Sequence, residues 1–172
     1  MNKPIRQNND TKPIRRRLPM KKFVAVLLAA VLCLSFAACG GDKATDKTVD
    51  AAAMFQALLT DVTYTDNATE LDSSMAGVLL GGELPEGTEA YLAANDSAYL
   101  RCAVFACKDK DAAAAVKKLI QTYIDDSIDA KYNVDEVALL QNAKIHSMGN
   151  YVAVAVTSDT DNVNKVIDQY FA

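Results

Sequence analysis

The sequence predicts an α+β domain in which a small, antiparallel-rich sheet carries helices packed on one face. Two observations predict this class. Segments with helical apolar spacing are interrupted by a few strand-like segments, and the last two strands are joined by a turn too short for anything but an antiparallel pair. The order strand, helices, strand, strand, helix favours one sheet beneath a layer of helices, because each element must bury its apolar side.

Four helices follow from apolar residues that recur every three or four positions and from the capping residues before them. The first carries Met54, Phe55, Leu58 and Leu59, and either Thr48 or Asp50 could cap it. The second starts near Asp109 or Asp111 and carries Val116, Leu119, Ile120, Tyr123 and Ile124. The third runs from Val134 to Asn142, with Asn133 and Glu136 as a capping box. The last is capped by Ser158 with Asp161 and carries Val163, Val166, Ile167, Tyr170 and Phe171.

The strands are marked by aromatic, β-branched and small apolar residues. The clearest strand is "AYLRCAVFAC", Ala98 to Cys107, and a hairpin from about Lys144 to Thr157 follows, with Gly149 and Asn150 at its turn. Pro85 could open a helical turn through Leu92. The segment 62–82 is ambiguous, since "VTYT" alternates like a strand while "SSMAGVLLGG" could form a short helix ending at its glycines.

The first 38 residues have the order of a secretory signal peptide. A basic block that includes Arg15, Arg16 and Arg17 precedes an apolar run from Phe23 to Ala38, which is too short to span a bilayer comfortably. A complete signal of this kind also begins at Met20, which predicts that translation starts there. We therefore divide the chain into a signal peptide (1–38), a cysteine and tether (39–48) and one domain (49–172).

The cysteine after the apolar run resembles that of a bacterial lipobox, in "LSFAACGG". The resemblance implies that diacylglycerol is attached to Cys39, that the preceding peptide is removed, and that the lipid holds the protein on the outer surface of the cytoplasmic membrane. No cofactor besides this lipid is expected. The alternative is a free cysteine beside an ordinary cleavage site.

Charge limits the partners of the mature chain. The leader holds eight of the 18 Lys and Arg residues and one of the 22 acidic residues, which leaves 10 bases, 21 acids and a formal net charge of −11. Such a charge repels nucleic acid and anionic lipid headgroups. We expect no nucleic-acid partner and attachment to the membrane through the lipid alone.

Cysteine, histidine and aspartate patterns predict neither a metal site nor a disulfide in the domain. Cys102 and Cys107 would lie roughly 16 Å apart on one strand, so buried thiols are expected. His146 has no partners at the spacing of a catalytic triad. Two acidic segments could suggest calcium, but 125–129 is better explained as a solvated helix end and 158–162 as a helix cap.

Alternation along the first strand places Leu100, Cys102, Val104 and Ala106 beneath the helices, together with Val152, Val154 and Val156 of the hairpin. The opposite face would gather an aromatic and cationic patch formed by Tyr99, Arg101, Phe105, Lys144, His146 and Tyr151. Such a patch could receive an anionic ligand or the carboxylates of a partner. The alternative is that the segment 62–92 covers this face and that Arg101 forms a structural salt bridge.

Three segments carry a resemblance to a known family: "GNYVAVAV" from Gly149 to Val156, the preceding "YNVDEVALLQNAKI", and the strand that ends in "CKDKD". In their order and spacing they resemble a family of Gram-positive bacterial lipoproteins defined only by a domain of unknown function. The resemblance extends from Val49 to Ala172 and implies a secreted, lipid-anchored domain, but no reaction.

The sequence thus predicts a non-enzymatic lipoprotein whose domain binds a small anionic ligand or another envelope protein. Two alternatives stay open. An enzyme acting on envelope material requires a cleft around His146 or Arg101. A structural accessory of an envelope complex requires an apolar sheet face that is exposed only when the domain is isolated from the complex.

Overall fold

The computed structural model describes residues 48–130 and 133–171. The elements in chain order are α1 (Ala51–Asp61), β1 (Thr69–Leu71), α2 (Met75–Leu80), β2 (Glu89–Ala94), β3 (Leu100–Ala106), α3 (Lys110–Ala130), α4 (Val134–Asn142), β4 (Lys144–Met148), β5 (Tyr151–Ala155) and α5 (Thr160–Phe171). The predicted signal peptide with Met20 and the lipidation residue Cys39 lie outside these residues. None of the helices described is long and apolar enough to cross a membrane.

The helices begin where short polar side chains bind free backbone N–H groups. Asp50 accepts from the N–H of Ala53 before α1, Asp109 accepts from Ala112 at the start of α3, and Asn133 accepts from Asp135 at the start of α4. These three starts confirm the predicted helices. The last helix begins at Thr160 and its first backbone bond is to the carbonyl of Asp159, so the predicted cap at Ser158 was one residue too early.

The five strands form one antiparallel sheet in the order β1-β2-β3-β5-β4. The predicted α+β class with a small antiparallel sheet is confirmed. The β4–β5 hairpin is also confirmed, with Gly149 at a positive φ of 59° in its two-residue turn.

Helices cover both faces of this sheet, so the prediction of helices on one face was wrong. One core, between the sheet and α2, α3 and α4, includes Leu100, Phe105, Val116, Leu140 and Val152. The other, between the sheet and α1 and α5, includes Phe55, Cys102, Val104, Ala153 and Val166. A strand that is buried on both faces has no alternation of apolar and polar residues, and β3 is such a strand. The apolar pattern of its sequence therefore could not show whether one or two layers of helices cover the sheet.

The segment before β3 also differs from expectation. Pro85 does not open a helix: the N–H of Thr88 donates to its carbonyl in a tight turn with Gly87 at φ 75°, and β2 follows at Glu89. In the ambiguous segment, "VTYT" is irregular while Met75–Leu80 forms the short helix α2, which ends at Gly81 in the left-handed conformation.

The β2–β3 turn contains Ala98 at φ 61°, a left-handed conformation usually occupied by glycine. Its N–H donates to the carbonyl of Asn95, and the N–H of Asn95 donates to the carbonyl of Tyr99. These bonds fix the turn, so Ala98 retains a steric strain that its neighbours compensate.

Replacing Ala98 with glycine should therefore raise the free energy of unfolding by about 1 kcal/mol, because glycine adopts this φ without a Cβ clash. Urea denaturation followed by circular dichroism measures the change. The matched control is Gly81→Ala, which adds a Cβ at φ 73° with no other atom within 4 Å. Its free energy of unfolding should fall by a similar amount, because backbone strain is the only change. An Ala98→Gly variant less stable than the parent would contradict the prediction.

Candidate functional site

Arg101 lies at a β-bulge. Ala93 of β2 pairs with Cys102 and Ala94 pairs with Leu100, so Arg101 is an extra residue without a partner on β2. The bulge shifts Leu100 onto the same face as Ala103 and Phe105. The predicted alternation, which placed Leu100 with Cys102 and Val104, is wrong for this reason.

Arg101 is only 1% exposed and forms an ion cluster with Glu136, which is also buried, and with Asp66, which is exposed. Its Nε and Nη2 donate to Asp66 at 2.6 and 2.8 Å. Its Nη1 and Nη2 donate to Glu136 at 2.8 Å each, and Nη1 also donates to the carbonyl of Leu100 at 3.2 Å. All five N–H groups of the guanidinium therefore have an acceptor, which makes burial of the charge tolerable.

The pKa shifts in the cluster follow from these bonds. Burial alone would lower the pKa of Arg101, but the hydrogen bonds to Asp66 and Glu136 outweigh it and raise that pKa. The same bonds lower the pKa of Asp66 to about 2, against the opposing effect of its partial burial. Both shifts favour the charged forms of Arg101 and Asp66, and Arg101 forms the structural salt bridge that the alternative interpretation predicted.

The ion cluster also holds the β2–β3 turn. Asn95 Nδ2 donates to Asp66 Oδ2 at 2.7 Å, and Asn67 Nδ2 donates to Asp96 Oδ1 at 2.6 Å. Asn95 Oδ1 in turn accepts from the N–H of Ser97 and of Tyr99. The loop before β1 and the β2–β3 turn are therefore tied together, with Arg101 behind them.

An open apolar groove lies in front of this turn. We call it the α2 groove; it has a volume of about 450 Å³, and its walls are Leu71, Met75, Val78 and Leu79 on one side and Ala94, Asn95, Asp96 and Ala98 on the other. Met75 is 43% exposed and Val78 is 73% exposed. A short helix that presents two large apolar side chains to solvent beside a concave surface is typical of a binding site.

The predicted aromatic and cationic patch is not assembled. Phe105 is fully buried under the α3 face, Arg101 is enclosed in the ion cluster, and Tyr99 lies half-buried after the β2–β3 turn. Lys144, His146 and Tyr151 lie on the other face, at positions paired with Ala155, Ala153 and Ala106. The six residues do not share one open face, and the anionic-ligand hypothesis loses its geometric basis.

His146 and the two cysteines do not form a reactive group. Burial and the charge of Lys144 lower the pKa of His146, an effect partly opposed by Asp168. Both cysteines are free and buried as predicted, and burial raises the pKa of Cys102 to about 12, which keeps its thiol protonated. Within 48–130 and 133–171, no three His, Cys, Asp or Glu residues are placed to hold a metal ion.

Sequence reasoning missed the α2 groove and the two carboxylates of the ion cluster. Glu136 was assigned to a capping box, but its carboxylate binds Arg101, while Asn133 alone caps α4. The sequence "MAGVLL" did carry a signal for the groove, because five of its six residues are apolar. A helix buries only one face, so some of these five side chains must point outward.

These features define an α+β domain that contains a buried arginine with two carboxylate partners and an open apolar groove. Residues 85–157 match a protein family described as a domain of unknown function (DUF4358). The match covers β2 to β5 with α3 and α4, a narrower range than the predicted resemblance from Val49 to Ala172. Searches of curated proteins and of solved structures each find no match to the chain.

Removing the arginine should destabilise the domain strongly. Arg101→Met leaves Glu136, which is 7% exposed, without its cation, and breaking a buried pair in this way costs about 3–5 kcal/mol. Urea denaturation of the purified variant measures the loss in free energy of unfolding.

Two further variants test the cause. Asp66→Asn should lower the free energy of unfolding by less than Arg101→Met, because the Asp66 side chain is 37% exposed and water can replace part of the interaction. Adding Glu136→Met to Arg101→Met should restore stability, because no buried charge remains unpaired. If Arg101→Met were no more harmful than Asp66→Asn, the cluster would not have the assigned role.

Proposed function

We propose that this protein is a lipid-anchored protein on the outer surface of the cytoplasmic membrane, and that its folded domain acts by binding a partner polypeptide in the α2 groove. The observation that carries the binding role is the exposure of Met75 and Val78 beside a concave wall. Met75 and Val78 are three residues apart on α2 and therefore adjacent on its surface, and adjacent exposed apolar side chains beside a concave wall mark an interaction site, whereas single ones do not.

The anchoring role is supported by the leader. The basic and apolar segments end at Ala37, Ala38 and Cys39, and the first helix begins at Ala51. The nine residues between Cys39 and Val49 can span roughly 30 Å when extended, so a domain tethered through Cys39 works close to the bilayer.

The anchor can be tested with the two cysteines of the leader. Cells expressing the full chain are grown with an alkyne-labelled fatty acid, and the protein is examined for label and for its distribution between membrane and medium. We expect the parent and Cys33→Ala to be labelled and membrane-bound, and Cys39→Ala to lose the label. Label that persists in Cys39→Ala would contradict lipidation at this residue.

The groove can be tested with an uncharged amphipathic peptide. The lipidated mature chain, which begins at Cys39, is placed in nanodiscs of zwitterionic lipid, and a fluorescein-labelled helical peptide of Leu and Ser is titrated by fluorescence anisotropy, with empty nanodiscs as background. We expect Met75→Ser with Val78→Ser to weaken binding about tenfold, because the contact area on α2 becomes polar.

Val134→Ser is the matched control for this loss. Val134 is 85% exposed and lies on α4, outside the groove, so its replacement removes an even more exposed apolar side chain without changing the site. The bilayer contributes the same background to every variant. Equal binding by the groove variant and the control would overturn the groove as a binding surface, and so would no binding to the parent.

A further inference from the structure

The α2 groove continues past its helix into a second depression. We call this the Asp126 hollow; its volume is about 230 Å³, and it is lined on the α3 side by Tyr123, Asp126 and Ala130. Val78 and Leu79 line both depressions. The two therefore flank α2, and a single elongated ligand lying across Val78 would contact both.

Among the described residues that line them, each depression has one aspartate and no basic side chain. Asp96 lies in the α2 groove and Asp126 lies in the hollow, and both are exposed. Among residues 48–130 and 133–171, the ion pairs are those of Arg101 with Asp66 and Glu136. The hydrogen bond from Asn67 to Asp96 comes from a neutral amide, so it leaves the negative charge in place.

These two negative charges determine whether the surface favours a partner with cationic, neutral or acidic groups beside its apolar side chains. A ligand with only apolar groups would leave both carboxylates beside it without compensation, whereas a cationic group near each would gain Coulomb energy. The mature chain adds a long-range attraction of the same sign, because its formal net charge is −11. An acidic segment would be repelled both locally and at a distance.

We propose that the α2 groove and the Asp126 hollow together receive an amphipathic polypeptide segment that places apolar side chains over Val78 and Leu79 and Lys or Arg residues near Asp96 and Asp126. This inference rests on the proposed binding function and specifies the chemistry of the partner. The apolar strip supplies contact area, and the two aspartates select the charge.

The test uses three peptides of equal length and equal Leu content, in which the polar positions are Lys, Ser or Glu. Each is titrated against the lipidated mature chain in zwitterionic nanodiscs, and the signal from empty nanodiscs is subtracted. We expect the Leu/Lys peptide to bind at least tenfold more tightly than Leu/Ser, and Leu/Glu to bind most weakly. The preference should shrink as salt rises from about 0.05 to 0.5 M, because exposed charges are screened.

Charge variants localise the preference. Asp96→Asn with Asp126→Asn should reduce the advantage of Leu/Lys over Leu/Ser about tenfold. Asp111→Asn is the single-charge control. It lies on the same helix as Asp126, but about 22 Å away along the axis, and should have little effect.

The outcomes separate this inference from the proposed function. If Leu/Ser binds at Met75 and Val78 but Leu/Lys binds no better, the groove is a binding site without charge selection and the inference is wrong. If Leu/Lys is preferred equally by the Asp96 and Asp126 double variant, the attraction comes from net charge and the assignment to these residues is wrong. If no peptide distinguishes the groove variant from Val134→Ser, the proposed function fails as well.

Discussion

The architecture at one end of the sheet depends on the burial of a single cation, Arg101. A guanidinium withdrawn from water needs an acceptor for every N–H group, and no one element supplies five. The acceptors here come from three places: Asp66 in the loop after α1, Glu136 on α4, and the carbonyl of Leu100 in β3 itself. The requirements of this one side chain therefore fix the position of a loop and a helix that are distant in sequence.

The cluster also explains how a strained turn is maintained next to the groove. Asp66 accepts from Asn95, and Asn95 holds the turn that contains Ala98 in its left-handed conformation. Hydrogen bonds of Asn95 with Asp66, Ser97 and Tyr99 hold the turn against this strain. They also hold one wall of the α2 groove in place before a ligand arrives, and preorganisation of this kind reduces the entropy lost on binding.

Local patterns in the sequence predicted most elements, because helix caps, apolar spacing and two-residue turns act within a few residues. The long helix after Asp109 and the hairpin at Gly149 are examples. A salt bridge of Arg101 was predicted as an alternative, but its two partners and the α2 groove were not, because they depend on nonlocal facts. A bulge at Arg101 changes which residues share a face, and no residue near it marks the bulge. The pairing of Arg101 with Asp66 and Glu136 joins residues 35 positions apart in each direction. Glu136 was assigned to the capping box of α4, because a glutamate at this position fits both a capping box and a buried partner of an arginine.

The same reasoning explains why the open surface of this domain lies at α2 rather than on the sheet. Both sheet faces are covered by helices, so neither can serve as an exposed binding surface. The remaining apolar excess is in α2, whose six residues can turn only Ala76 and Leu80 fully inward. Val78 and Leu79 of this helix line both the α2 groove and the Asp126 hollow. A short helix whose residues are apolar on most sides thus leaves apolar side chains exposed beside both depressions, because one buried face cannot take them all.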